Sequence, residues 1–406
     1  MKEKASIVIL AAFLILGGVL VFLRKSRDEP NGRPGADSAS ATAPSATGAG
    51  ASLPPQKVTL PVLYSSEKEE WLREAVGAFG KEHPEIDVQL KSKGSLEAVR
   101  GLLSGEEKPV LWTPADSLAV NLLTVQWQLA KAADPLVRDG ARWPRSLLLT
   151  PLVFVAWESR AKALLGNGTE LSWTRLRDAV GSKKGWAGFG GDATWAYVKF
   201  GHTDPTKSNS GLQALVLMAY GFYDRQDGLT VPEVTAARFQ DFLKAIEAGR
   251  RAQDFAASST GPFMQNFIRQ GPSLYDVVVV YEATAIAEIP RAVGRWEGLR
   301  IFYPSVNVWS DHPMCLLDAE WVTRAQRQAA TELVDYLMST PVQQRALRHG
   351  FRPGNLDVAV VTQDSDNPFN RYRDTGVRIN VPRIATPPTG AVLQALLQTY
   401  QRNAPN

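Results

Sequence analysis

The sequence predicts an α/β fold with a parallel sheet, because a unit of strand, polar loop and helix occurs three times in succession. The three strands are predicted at residues 58–63, 86–90 and 109–112, and a polar loop and an apolar-periodic helix follow each of them. Such alternation is typical of parallel α/β sheets. The valine-rich run at residues 275–281 predicts a further strand that is buried on both faces.

The rest of the chain is predicted to be rich in helices. An apolar run at residues 147–157, interrupted by Pro151, predicts an extended segment. The first helix is predicted at residues 67–81, where Ser66 and Glu69 have the spacing of a capping box. Apolar periodicity predicts later helices at residues 231–250, 262–270, 325–338, 341–349 and 391–401.

Composition excludes several classes of function. The 406 residues are 44% apolar and 21% charged, which is typical of a globular chain. Six of the 45 basic and four of the 41 acidic residues lie in residues 1–56, so the remainder is nearly neutral. This balance argues against nucleic acid as a partner. The single cysteine excludes an internal disulfide, and the four scattered histidines have no metal-site spacing, so we predict no metal and no cofactor.

The N-terminus has the features of a membrane anchor. Residues 6–23 carry no charge and are just long enough to cross a bilayer as one helix. No small-residue cleavage pattern follows them, so we predict that residues 1–23 form an uncleaved transmembrane anchor. Residues 24–56 are rich in Ala, Ser, Gly, Pro and Thr, which predicts a disordered, flexible linker.

Polar loops follow the predicted strands at the edge where parallel sheets bind ligands. The hydroxyl side chains of these loops are our ligand-binding candidates from the first part of the chain, namely Ser65, Ser66, Ser95 and Thr113. The free backbone amides of a helix N-terminus also bind anions and polar ligands. The alternative is that these serines only cap their helices, and the two roles are compatible.

The segment at residues 200–217 is the most informative stretch, because a polar run with Pro205 leads directly into an apolar helix. Its candidate ligand-binding residues are Thr203, Ser208, Asn209 and Ser210. Such residues before an apolar run are N-caps, and a helix N-terminus in a cleft would bind a polar ligand. The segment is therefore interpreted either as a capped, buried helix or as one side of a binding site.

Two further candidates, Tyr281 and Glu282, stand at the end of the valine-rich strand. A tyrosine at a strand end contacts a ligand about as often as it packs in the core. Glu282 would repel an anion unless it is paired, and it would favour an amine or a hydroxylated ligand. The alternative for Glu282 is a surface ion pair.

Four groups of segments occur in a characteristic order over most of residues 57–360. They are residues 64–66 with 83–88 and 94–95, residues 201–211, residues 271–282, and residues 311–313 with 339–344 and 350–353. In this order they resemble bacterial extracellular solute-binding proteins of the type II periplasmic-binding fold, the receptors of ABC importers. The chain also resembles the solute-binding domain that precedes a von Willebrand factor A domain in some bacterial proteins.

The resemblance implies two α/β lobes that are joined by two crossover strands and close around a small ligand. Lobe 1 would comprise residues 57–150 and, after the chain returns, residues 281–406 with the C-terminal helix. Lobe 2 would comprise residues 151–280. The resemblance also implies that the binding domain is extracytoplasmic, in the periplasm, and attached to the cell membrane by the single N-terminal helix.

The expected function is the capture of a small polar solute or oxyanion in the cleft between the lobes, with an ABC permease as the implied partner. The sequence has no nucleophile elbow, P-loop or convincing Cys/His pairing, so we predict that the protein is not an enzyme. The alternative is a sensory or protein-interaction module of the cell envelope with the same fold, which the anchor and the long linker also favour.

Overall fold

The structure is a computed structural model, and it describes residues 57–131, 133–140, 142–165, 170–249, 259–381 and 383–403. The predicted membrane span at residues 6–23 and the predicted linker at residues 24–56 lie outside these residues. Within the described ranges, every helix is too short or not apolar enough to cross a membrane.

The described chain alternates short strands with helices. The strands are β1 (Val58–Tyr64), β2 (Ile86–Ser92), β3 (Leu111–Thr113), β4 (Arg145–Ser146), β5 (Leu148–Leu149), β6 (Leu152–Trp157), β7 (Phe200–Gly201), β8 (Val277–Tyr281), β9 (Leu299–Phe302), β10 (Pro313–Leu316) and β11 (Arg352–Pro353). The helices are α1 (Glu69–Glu82), α2 (Ser95–Ser104), α3 (Ser117–Lys131), α4 (Glu158–Leu165), α5 (Trp173–Val180), α6 (Asn209–Tyr223), α7 (Val231–Val234), α8 (Ala237–Glu247), α9 (Thr260–Gln270), α10 (Glu282–Ala292), α11 (Arg324–Leu337), α12 (Thr340–Arg348), α13 (Pro368–Arg371) and α14 (Gly390–Asn403).

The first sheet has five strands in the order β2-β1-β3-β10-β4. β1 pairs in parallel with both β2 and β3, and the helices α1 and α2 form the crossover connections that parallel neighbours need. The predicted parallel α/β unit is therefore confirmed. β10 joins β3 in the antiparallel direction from a distant part of the chain, which no local pattern marks.

The second sheet has four strands in the order β7-β8-β6-β9. Every residue of the valine-rich β8 is buried, and the strand lies between a parallel neighbour, β7, and an antiparallel one, β6. The predicted buried strand is thus confirmed, although it begins at Val277 rather than at residue 275. Strands covered on both faces tolerate a continuous apolar run, which is the pattern found here.

Two connections run side by side between the sheets, and all described residues belong to one compact unit. The apolar run at residues 147–157 divides at Thr150 and Pro151 into β5 and β6, so the chain leaves the first sheet there. It returns past Ser310, between β9 and β10. The Thr150 N–H donates to the Ser310 carbonyl at 3.0 Å, and the Ser310 N–H donates to the Thr150 carbonyl at 2.9 Å. The resemblance implies crossover strands between two lobes, and that finer description stays a prediction.

The predicted lobe boundaries at residues 150 and 280 stay a prediction. β9 lies after residue 280 and pairs with β6 of the second sheet. The C-terminal helix α14 packs against α3 and also against α6, α7 and α8. Residues of the predicted return segment therefore contribute to the packing of both sheets.

The apolar helix predicted after the polar run is α6, and it lies in the largest core cluster. Its first twelve residues are all buried, because neighbouring helices and the second sheet cover it on every side. Leu215, in the middle of α6, is 0% exposed. A helix that is apolar all round needs such enclosure to be stable.

We expect Leu215→Ala to lower the free energy of unfolding by about 2–5 kcal/mol, because it leaves a cavity in the core. Chemical denaturation measures the effect. Leu356→Ala is the matched control: Leu356 is 90% exposed, and its truncation should change stability by less than about 0.5 kcal/mol. Equal effects of the two substitutions would contradict the burial of α6.

Candidate functional site

A cavity of about 410 Å³ lies among the loops that precede the helices. Its size is within the range of about 300–1,000 Å³ found for small-molecule sites. Its lining residues are Ser65, Ser66, Glu67, Ser92, Lys93, Gly94, Ser95, Glu97, Arg100, Lys207, Ser208, Asn209, Ser259, Thr260 and Tyr281. The lining comes from both sheets and their helices, so the cavity is a cleft between two layers of the fold.

Three helices, α2, α6 and α9, begin at this cavity. Within the described chain, none of their N-cap residues, which are Gly94, Ser208 and Ser259, makes a side-chain capping hydrogen bond. The first backbone amides of a helix have no intrahelical partner, and the helix dipole adds partial positive charge there. The cavity is therefore surrounded by groups that favour a negatively charged or polar ligand.

The entry to α1 differs from the prediction. The predicted capping box of Ser66 and Glu69 is wrong, because residues Ser66–Lys68 form a 3-10 helix and α1 begins one turn later, at Glu69. Ser66 is instead exposed at the cavity, where its Oγ lies 3.4 Å from Ser259 Oγ on the other side of the cleft. This geometry leaves the Ser66 hydroxyl available to a ligand.

A buried lysine supports the cavity wall from behind. Lys68 is 0% exposed, and its Nζ donates to Ser65 Oγ at 2.5 Å and to the Thr113 carbonyl at 3.0 Å. Burial lowers the pKa of Lys68 to about 8, against the opposing effect of the Glu67 carboxylate. Because Lys68 donates to Ser65, the Ser65 hydroxyl proton is directed elsewhere, and it is donated to Glu67.

A second buried polar chain connects the two sheets below the cavity. Asn209 Nδ2 donates to Asp116 Oδ2 at 2.7 Å and to the Tyr281 hydroxyl at 3.1 Å. Asp116 Oδ1 accepts the backbone N–H of Leu118 at 3.0 Å, at the start of α3. Burial raises the pKa of Asp116 to about 8 and also raises that of Tyr281. The raised pKa leaves this carboxyl group with less negative charge near neutral pH than an exposed aspartate carries, which lowers the repulsion of an anion.

Six of the ten predicted site residues line the cavity, and they are Ser65, Ser66, Ser95, Ser208, Asn209 and Tyr281. Three others lie behind it. Thr113 is buried beneath Ser65 and accepts the Ser65 N–H at 3.1 Å with its carbonyl oxygen. Ser210 Oγ lies 2.8 Å from Thr203 Oγ1 and 2.6 Å from Thr260 Oγ1. The hydroxyls of Thr203 and Ser210 therefore position the loop and the start of α6 and do not line the cavity.

Glu282 does not line the cavity either, although Tyr281 next to it does. It is 0% exposed, and Arg352 binds both of its carboxylate oxygens at 2.8 Å. The Tyr303 hydroxyl donates to the same carboxylate. The predicted alternative of an ion pair is thus the arrangement found, but the pair is buried instead of lying on the surface. Glu282 adds no negative charge to the cleft.

Sequence reasoning missed the charged residues of the cavity, namely Glu67, Lys93, Glu97, Arg100 and Lys207. Lys93 lies 2.7 Å from Glu107 and Lys207 lies 3.3 Å from Asp204. Arg100 has no described carboxylate within ion-pair distance, and its nearest partner is the Thr206 carbonyl at 3.5 Å. Lys93 and Lys207 lie in the polar loops that the sequence predicts before two helices. Their place in these loops is the sequence signal that could have identified them as cavity residues.

Among the residues that the structure describes, one group of side chains could hold a metal, and it lies away from the cavity. His83, Glu85 and Glu332 each place one ligand atom within 4.8 Å of the others. These side chains are partly or fully exposed, and His83 Nδ1 already lies 3.2 Å from the Glu85 carboxylate. The arrangement is accounted for by a surface ion pair.

We expect Asp116→Asn to change how stability depends on pH. The protonated Asp116 stabilises the folded state at low pH, and this contribution is lost as the pH rises from the unfolded pKa of 3.8 to about 8. The wild type should therefore lose up to about 1.4 kcal/mol per pH unit relative to the variant in this window. Urea unfolding at several pH values measures the slopes. Asp335→Asn, at a side chain that is 61% exposed, should behave as the wild type, and parallel slopes for Asp116→Asn would contradict the interpretation.

We expect Glu282→Gln to lower the free energy of unfolding by about 3–5 kcal/mol, because it leaves the Arg352 charge buried and uncompensated. Glu158→Gln is the matched control, since Glu158 forms a 2.9 Å pair with Arg300 whose side chains are 39% and 41% exposed. That change should cost at most about 1 kcal/mol. Denaturation curves that shift equally for both variants would overturn the assignment.

Comparison with known proteins identifies the family. The profile of the bacterial extracellular solute-binding proteins matches residues 60–352. The chain is also 25% identical over 278 residues to a thiosulfate-binding protein of Pseudomonas aeruginosa, and the match covers 67% of this chain and 70% of that protein. The resemblance to domains that precede von Willebrand factor A modules stays a prediction.

Solved structures share the fold at low sequence identity. The sulfate-binding protein SubI of Mycobacterium tuberculosis has a TM-score of 0.54 and 14% identity, and the match covers 86% of this chain and 100% of that one. A solute-binding protein of an ABC transporter from Thermotoga lettingae, bound to α-D-tagatose, has a TM-score of 0.58 and 13% identity, and the match covers 86% of this chain and 94% of that one. Since the family profile spans strands of both sheets and more than half of the sequence, the chain belongs to the bacterial extracellular solute-binding proteins.

Proposed function

We propose that this solute-binding protein captures a small oxyanion in the cavity between its two sheets and delivers it to an ABC permease. The observation that carries the proposal is the convergence of three helix N-termini without side-chain caps on one cavity. Backbone amides at such termini bind anions without a full opposite charge. Lys93, Arg100 and Lys207 add cationic side chains around the same space.

The polar contacts across the cleft support binding by closure. Ser66 meets Ser259, Asn209 donates to Asp116, and Arg100 reaches the loop before α6. Each of these contacts connects elements of different sheets. A ligand that binds the same groups would stabilise the closed arrangement over an open one, because it interacts more strongly with that state.

Relatives support an oxyanion as the solute class. The curated relative is a thiosulfate-binding protein, and one of the structural neighbours is a sulfate-binding protein. The buried pairing of Glu282 with Arg352 removes the charge that would have favoured a cationic ligand. The raised pKa of Asp116 acts in the same direction, because it reduces the negative charge behind the cavity.

We further propose that the binding domain is held at the outer face of the cell membrane. Membership of an extracellular solute-binding family supports an extracytoplasmic domain. The uncharged residues 6–23 would provide the anchor, and the small, polar residues 24–56 would provide the linker. Such a tether keeps the loaded protein near a permease in the same membrane.

Ser66→Asp tests the proposed oxyanion site. The new carboxylate would stand in the cavity beside the ligand, and like charges about 4 Å apart repel by up to about 4 kcal/mol near a protein surface. We expect the affinity for sulfate, thiosulfate or phosphate, whichever binds the wild type, to fall at least about tenfold by calorimetry.

Ser66→Asn is the matched control, because asparagine has the shape of aspartate without the charge and keeps a hydrogen-bond donor. Its affinity should fall much less than that of Ser66→Asp. Raising the ionic strength should also weaken binding to the wild type, since salt screens the charges at the rim. Equal affinities of the wild type and Ser66→Asp for the anion would contradict the proposed site.

A further inference from the structure

The cavity contains a carboxylate that an oxyanion alone leaves unexplained. Glu67 lines the cavity, and its side chain is 9% exposed. Its Oε1 accepts the Ser65 hydroxyl and lies 3.4 Å from His312 Nδ1 and 3.6 Å from Lys68 Nζ. Among the described residues, none forms a hydrogen bond to Oε2, the other oxygen of this carboxylate. Glu67 thus lines the cavity wall with one carboxylate oxygen that none of the described residues engages by a hydrogen bond.

Lys68 balances the charge of Glu67 but is not accessible to a ligand in the cavity. Its Nζ is held by Ser65, by the Thr113 carbonyl and by the Pro114 carbonyl at 3.3 Å, and it is 0% exposed. The Ser65 side chain thus separates the ammonium group from the cavity. What faces the cavity at this position is a hydrogen-bond acceptor.

The second cavity-lining carboxylate, Glu97, has a different environment. Its side chain is 58% exposed, and it lies 3.6 Å from Lys93 at the outer rim. Water and Lys93 screen the charge of Glu97, so this carboxylate has little effect on which ligand binds. Glu67 is almost enclosed, and an enclosed carboxylate acts more strongly on its neighbours.

The size of the cavity also exceeds the need of a bare oxyanion. The cavity measures about 410 Å³, which lies within the range of about 300–1,000 Å³ found for sites of drug-sized ligands. Ser66 and Glu67 also line a neighbouring cavity of about 480 Å³, so Glu67 stands at the border between the two. A ligand with a second polar group beyond its anionic end would reach this border.

We propose that the ligand is a small zwitterion, with an oxyanion at the three helix N-termini and an ammonium group on the free Oε2 of Glu67. This inference rests on the proposed function, because it assigns the second end of the same ligand. A charged donor on a carboxylate in a partly enclosed site forms one of the stronger protein hydrogen bonds. The Glu67 carboxylate would then favour ligands that carry an ammonium group, and its charge would no longer oppose binding.

A matched pair of sulfonates tests the assignment. Taurine carries an ammonium group where 1-propanesulfonate carries a methyl group, and the two are otherwise the same size. Titration calorimetry of the wild type should give an affinity for taurine at least about tenfold higher than for 1-propanesulfonate. Affinities within about threefold of each other would overturn the inference while leaving the oxyanion proposal intact.

Glu67→Gln identifies the residue that carries the preference. In this variant the affinity for taurine should fall, and the affinity for 1-propanesulfonate should be unchanged or higher, because a repulsive charge is gone. A misfolded variant would lose both ligands and so cannot imitate this result. Glu70→Gln is the control, since Glu70 lies on the adjacent turn with a side chain that is 86% exposed, and it should keep the wild-type preference.

The outcomes separate the two proposals. If the wild type binds sulfate, thiosulfate or phosphate but prefers neither sulfonate, or if Glu67→Gln keeps the taurine preference, the zwitterion inference is wrong and the oxyanion site stands. If the wild type binds neither the inorganic anions nor either sulfonate, the proposed function fails and this inference fails with it.

Discussion

The described chain brings three helix N-termini to one cavity without a side-chain cap on any of them. Backbone amides in a partly enclosed space must find a partner in water or in a ligand. The two sheets make this possible, because α2 follows β2 of the first sheet, whereas α6 and α9 lie between β7 and β8 of the second. The paired connections at Thr150 and Ser310 run side by side between these sheets, so the cavity depends on contacts outside it.

Burial decides which ionisable groups act as charges at this cleft. It moves the pKa of Lys68 and that of Asp116 toward their uncharged forms, and both groups are used for hydrogen bonds. Glu282 is paired with Arg352, and both side chains are buried, so the pairing must offset the loss of their hydration. A ligand therefore meets the backbone amides, Glu67 and the rim cations directly, whereas Lys68 acts from behind Ser65.

Local sequence patterns predicted the polar loops that line the cavity but not its charged side chains. The strand-to-helix loops placed Ser66 and Ser95 at one edge, because parallel strands direct their following loops to the same side. Asn209 came from the separate polar run before α6. Four predicted residues do not line the cavity, since neighbouring residues in a turn point in different directions, and their part in binding stays a prediction: Thr113, Thr203, Ser210 and Glu282. Glu282 follows Tyr281, yet one side chain lines the cavity and the other binds Arg352, which lies 70 residues away in the sequence.

The sequence by itself determined the α/β class, the parallel pairing of β1 with β2 and β3, the buried β8 and the polar loops that carry the site. These follow from periodicity and composition, which are properties of neighbouring residues. Only the tertiary structure decided that Ser66 meets Ser259, that Lys68 is enclosed behind Ser65, and that Glu67 lines the cavity with its Oε1 bound by Ser65. Those contacts join residues distant in the chain, and their burial and side-chain directions arise only when the two sheets come together.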